Sequence, residues 1–224
     1  MSDISDELDK IFKNEDPNQS IKEFLVLEKD NPLNIEIKQL MSMCYRKLGD
    51  NTNALKQLLE ALEIQPLNHI VNFNLGQLHK SFKKNEEAIA YFKNSVTFNP
   101  EFERGINILG DIFFNKKDFS TAILYYKRSI DLNKNKDNVF SIFRLGLCFF
   151  EIANISNNIE EKKKAIMYFE MAYDIQPEEL SIKRNLIGIY NVYGIKEKAV
   201  RLEREVDGVF EINTLKKEIE INCP

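Results

Sequence analysis

Apolar positions recur along this chain with a helical period, and short polar turns interrupt them at regular intervals. Between His69 and Glu101, the side chains Ile70, Phe73, Leu75, Leu78 and Phe82 form one stripe. Lys83-Lys84-Asn85 breaks it, and Ala88, Ile89, Phe92, Val96 and Phe98 form a second. Residues three and four apart share a helix face, so the stretch predicts two amphipathic helices joined by a tight turn. Pro100 closes the unit, because proline has no amide hydrogen with which to continue a helix.

The unit repeats. Pro32, Pro66 and Pro100 are spaced by 34 residues, the next step lands on Lys134, and Pro177 follows 43 residues later. Twelve residues before each of these positions stands a small residue: Ser20, Ala54, Ala88, Ala122 or Ala165. Four residues after that comes a bulky one: Phe24, Leu58, Phe92, Tyr126 or Phe169. Three further on stands Leu27, Ala61, Ser95, Ser129 or Ala172. A Leu-Gly pair recurs as Leu75-Gly76, Leu109-Gly110 and Leu145-Gly146, with Met41-Ser42 and Leu186-Ile187 in the same slot. Small residues are expected where two antiparallel helices approach most closely, with Gly76 and Ala88 leaving the room.

A 34-residue period with Leu-Gly, Tyr, Ala, Phe, Ala and Pro slots resembles the tetratricopeptide repeat family. The resemblance implies an all-α fold, a right-handed α-solenoid of stacked antiparallel helix pairs. Six repeats are expected over residues 1–213: 1–34, 35–68, 69–102, 103–136, 139–179 and 180–213. The first and last are degenerate, as terminal repeats of a solenoid often are. The family's Trp slot holds Lys38, Asn72 or Ile106, and the chain has no Trp. An Asn-rich insertion near 152–159 is expected either to lengthen both helices of its repeat by about a turn or to form a projecting loop. Residues 208–221 are expected to form a capping helix with Ile212, Leu215 and Ile219 on one face, so that 214–224, beyond the repeats, is a C-terminal capping helix or tail.

Composition narrows the function. Only 8 Gly and 6 Pro stand among 224 residues, as suits long helices. A net charge of −4 gives no overall attraction to nucleic acid, and no base-reading regularity recurs from repeat to repeat. The three cysteines, Cys44, Cys148 and Cys223, have neither disulfide nor zinc spacing. Cys44 and Cys148 hold corresponding slots and are expected to be buried. The N-terminus is acidic and polar, without a basic start or an apolar leader. Val139 to Ile155 is the most apolar segment, but Arg144 and Glu151 interrupt it, and it falls short of the roughly 20 residues that cross a bilayer. The expectation is a cytoplasmic protein with no membrane or nucleic-acid partner.

Catalytic parts are missing. His69 opens a repeat, and His79 fills the family's Tyr slot, a packing position. There is no nucleophile elbow and no Gly-rich phosphate loop. Glu86-Glu87 and Glu178-Glu179 sit at helix starts, where they favour the helix dipole. No enzyme activity, metal or cofactor is expected.

In the family, the first helix of each pair lines the concave side, which usually binds an extended peptide or a helix. The resemblance places Phe73, Asn74, Gln77, Arg104, Asn107, Asp111, Phe114, Phe140, Phe143, Arg144, Leu147, Phe150, Arg184 and Asn185 on that lining. Gln39, Met43, Arg46, Ile108 and Gly188 accompany them. Phe114, Phe140, Phe143, Leu147 and Phe150 read as an aromatic patch with Arg104, Arg144 and Arg184 around it, the composition of binding hot spots. Those arginines suggest acidic groups on the peptide. The two-carboxylate clamp of chaperone-binding members is absent: only Asn74 matches it, with Arg104 a substitute of the same charge. An Asn ladder like that of O-linked N-acetylglucosamine transferases is broken, with only Asn74 and Asn185 in its slot. The reading is a non-catalytic scaffold for a peptide or amphipathic helix of a partner protein. Alternatives are the targeting arm of a larger enzyme, such as a glycosyl- or sulfotransferase, and a self-associating module.

Overall fold

A computed structural model of the chain describes residues 4–133 and 137–206. Among these residues there are helices and no strand, and the fold is an α-solenoid of helix pairs. The chain forms two compact units, residues 1–109 and 110–224.

The first unit holds α1 (Ile4–Phe12), α2 (Pro17–Asp30), α3 (Ile35–Lys47), α4 (Asn51–Ile64), α5 (His69–Ser81) and α6 (Asn85–Phe98). The helix α7 (Glu103–Asn115) begins in this unit and ends in the second. The second unit continues with α8 (Phe119–Leu132), α9 (Val139–Ser156), α10 (Ile159–Ile175) and α11 (Leu180–Val192), and a helical segment over 196–206. The expected C-terminal cap at 214–224 and Cys223 lie outside the described residues.

Asn and Asp open most helices. Asn34 accepts from Glu36 N and Ile37 N, and Asn68 from Ile70 N and Val71 N. Asp50 and Asp118 do the same at α4 and α8. Each satisfies backbone donors that the first turn leaves unpaired. From α3 onward, the turn inside each helix pair holds one left-handed residue. Gly49 and Gly194 supply it at φ 78° and 75°, but Lys83 and Lys117 hold the same slot at φ 61°.

The repeat slots are core. Ser20, Ala54, Ala88, Ala122 and Ala165 are buried, and Phe24, Leu58, Phe92, Tyr126 and Phe169 are wholly so. The room at the Leu-Gly slot is taken by an aromatic ring. A Cβ on Gly76 would lie 2.7 Å from the Phe92 ring, and one on Gly110 would lie 2.6 Å from the Tyr126 ring. Gly146 faces Phe169 in the same way. The glycine makes space for the bulky residue four positions beyond the small one.

The Trp slot stays buried whatever fills it: Lys38, Asn72, Ile106, Ile142 and Lys183 are all in the interior. Lys38 is held there by charge. Its Nζ lies 2.6 Å from Glu28 Oε1 on α2 and 2.7 Å from Glu60 Oε2 on α4. A buried ammonium needs such partners, since an unpaired one costs several kcal/mol.

The insertion lengthens helices and forms no loop. Helix α9 has 18 residues where α3 and α5 have 13, and α10 has 17 where α4 and α6 have 14. Asn157 turns the chain at φ 50°. Helix α9 is long and apolar enough to cross a bilayer by length and composition. It buries Ile142, Leu145, Cys148, Phe149 and Ala153 among α8, α10 and their neighbours.

Candidate peptide-binding face

Within the first unit, α5 carries Phe73, Asn74 and Gln77. Phe73 is only 4% exposed, and its ring centroid lies 5.5 Å from that of Phe92 and 5.2 Å from that of Phe102. Its expected role on an open lining is therefore corrected: packing against two rings takes it into the core. Arg104, exposed at the start of α7, sets its guanidinium carbon 5.2 Å from the Phe73 ring centre. Asn74, Gln77 and Asn107 are half-buried.

Within the second unit, the expected residues fall into two sets. Phe114, Phe143, Leu147 and Phe150 are half-buried packing groups. Phe114 meets Phe119 edge to face at 5.5 Å, Phe143 meets Phe169 at 5.2 Å, and Phe150 lies 6.0 Å from Tyr193. Leu147 packs with Phe143 and Phe150 against Phe169 and Leu186. Phe140, by contrast, is 44% exposed. The patch is thus largely internal, with one ring open to solvent. Arg184 and Asn185 are exposed on α11, where Asn185 Nδ2 donates back to Ser181 O at 2.6 Å.

Arg144 is not an open handle. Its Nε lies 3.1 Å from Asp111 Oδ1, and the same oxygen accepts the Tyr126 hydroxyl at 2.6 Å. The guanidinium carbon also stands 5.2 Å from the Phe140 ring centre. Three helices, α7, α8 and α9, are tied through one carboxylate. Burial, reinforced by the Asp111 hydrogen bond, pushes the Tyr126 phenol far above its ordinary value, so it remains a donor. Burial also pushes the Cys148 thiol up to about 12, which leaves it inert as a nucleophile at neutral pH.

A cavity of about 430 Å³ opens beside Phe140. Asp137, Val139, Phe140 and Phe143 form one side, and Gln176, Glu179, Ser181 and Ile182 the other. Apart from the two phenylalanines, these residues were not among those expected from the sequence. Asp137, Gln176 and Glu179 come from the turns before α9 and α11, which periodicity treats only as punctuation, and Val139, Ser181 and Ile182 from the first turns of those helices. Glu179, read as a dipole-favouring residue, is the N-cap of α11, its carboxylate accepting from Ser181 N at 3.2 Å. Among the described residues no group of three His, Cys, Asp or Glu side chains could hold a metal ion.

Comparison with known proteins places these helix pairs. A tetratricopeptide repeat model matches residues 35–66, 70–102 and 104–136. Residues 35–136 carry three tetratricopeptide repeats. A MamA fragment from Desulfovibrio magneticus RS-1 superposes with TM-score 0.66 at 15% identity, covering 79% of this chain and 95% of that one. PilF from Pseudomonas aeruginosa gives 0.69 at 15% identity, covering 92% and 90%. A tetratricopeptide repeat protein from Parabacteroides merdae gives 0.70 at 14% identity, covering 91% and 77%. At these identities the likeness establishes the fold alone. No curated protein matches the sequence. Repeats of this kind are in general non-catalytic interaction modules, and the chain is a protein-interaction scaffold in that general sense.

Proposed function

We propose that this protein is a non-catalytic cytoplasmic scaffold that captures a peptide or amphipathic helix of a partner protein on the face formed by first helices of its repeats. The observation that carries this reading is Phe140. A large ring, 44% exposed beside a cavity with an apolar floor and with an arginine fixed over it, offers a partner side chain an aromatic surface to cover. Cys44 and Cys148 as free, buried thiols fit a reducing compartment. The test is affinity capture from native lysate with three proteins: the intact chain, Phe140→Ala, and Leu124→Ala as a control on the exposed side of α8. Partners are expected to disappear with Phe140→Ala and to survive Leu124→Ala. Equal capture by all three would remove this face from the account.

A further inference from the structure

We infer that the cavity between the starts of α9 and α11 is an anchor pocket for a bulky apolar side chain carried next to a lysine or arginine, so that the partner segment is basic and amphipathic. The inference rests on the reading that this face binds a peptide, and it adds the chemistry of that peptide.

The cavity has an apolar floor and an acidic rim. Val139, Phe140, Phe143 and Ile182 supply the floor. Asp137 and Glu179 are the only charged side chains lining it among the described residues, and both are exposed. The hydrogen bond from Ser181 N fixes the Glu179 carboxylate at the start of α11. About 430 Å³ accommodates one large side chain and part of a neighbour. An apolar anchor with a cation at the rim matches both halves of this lining, because lysine and arginine lay their methylene stems on apolar surface while the charge reaches a carboxylate.

The opposite preference, for an acidic peptide, needs an arginine that is available. Arg144 lies over Phe140, but Asp111 already meets its charge. An incoming carboxylate would have to displace Asp111, which also holds the Tyr126 hydroxyl. The expectation that the arginines draw acidic groups is replaced, at this cavity, by the reverse sign.

Random linear peptides displayed on phage, selected on the intact protein, test the inference. Recovered sequences are then measured by fluorescence anisotropy against intact protein, Phe140→Ala, and the double variant Asp137→Asn/Glu179→Gln. The Gln side chain keeps an acceptor for the α11 cap, and thermal melts confirm that each variant is folded. The expected consensus pairs Phe, Leu or Met with an adjacent Lys or Arg. Phe140→Ala should weaken binding about tenfold or more, and the double variant by a few-fold, with that few-fold effect fading at high salt. A consensus that is acidic, or apolar without a basic neighbour, overturns the inference while leaving the peptide-binding reading intact. Peptides that bind every variant equally, or a selection that recovers none, overturn both.

Discussion

Two arginine–phenylalanine pairs, one in each unit, show how the same contact can serve two ends. Arg104 stands over Phe73, and Arg144 over Phe140, each with its guanidinium carbon 5.2 Å from the ring centre. Phe73 is packed between Phe92 and Phe102 and is 4% exposed, whereas Phe140 is 44% exposed beside a cavity. The first arginine covers a core ring. The second is held by Asp111 and leaves its ring open. A cation–aromatic contact therefore does not mark a binding site; the burial of the ring decides what the contact is for.

The sharpest way to break the comparison is to truncate both rings. Phe73→Ala is expected to cost about 3–5 kcal/mol of stability, the usual toll for a buried phenylalanine. Phe140→Ala should cost less than about 1 kcal/mol while removing partner binding. Urea denaturation of the two variants side by side reads this difference directly, and similar losses would erase the distinction.

A smaller effect tests the packing that supports the second pair. Gly110→Ala would place a Cβ 2.6 Å from the Tyr126 ring, whose hydroxyl anchors Asp111. The expected cost is about 1–3 kcal/mol, with the chain still helical by circular dichroism. Binding at Phe140 should fall in the same variant, because Arg144 loses its fixed partner.

Acid separates the units further. His79 in the first unit packs against Tyr91 and Phe82, and its Nδ1 is buried without a partner. Burial, with help from Lys84 and against Glu87, holds its pKa below the ordinary 6.5. The unfolded chain then binds the proton more readily than the folded one, so stability is lost as pH falls through about 6.5. His79→Phe should flatten the slope of stability between pH 7 and 5. In the second unit Tyr126 and Cys148 are shifted upward and stay neutral throughout that window, so Tyr126→Phe should leave the slope unchanged.

The smallest effect is a gain. Lys83 and Lys117 occupy a left-handed turn slot that Gly49 and Gly194 fill without steric cost. Lys83→Gly should stabilise the protein by about 0.5–1 kcal/mol in thermal melts.

Much of this architecture was legible because each repeat slot asks for one property. The small residue at Ala88 and the bulky one at Phe92 recur with fixed spacing, so the helix pairs followed from the period. The Trp slot shows the limit of that reading. Lys38 looks like a departure until Glu28 and Glu60 are seen to neutralise it, and neither lies near it in sequence. The insertion could be counted but not shaped, since the nine residues by which the 43-residue step exceeds 34 fit two longer helices or a loop equally well by number. The binding face was the least legible. Helical phase placed Phe73 and Phe140 on similar faces, but exposure depends on what crosses above: Phe102 in one case and an open cavity in the other. The cavity's acidic rim comes from the turns at Asp137 and Glu179, where no period operates.

The most direct test of the central claim is to map amide chemical-shift changes when a peptide recovered by selection is titrated into the labelled protein. The account predicts that the changes concentrate at residues 137–144 and 176–184. Changes concentrated instead on the exposed sides of α8 and α10, around Leu124, Met167 and Met171, would contradict it.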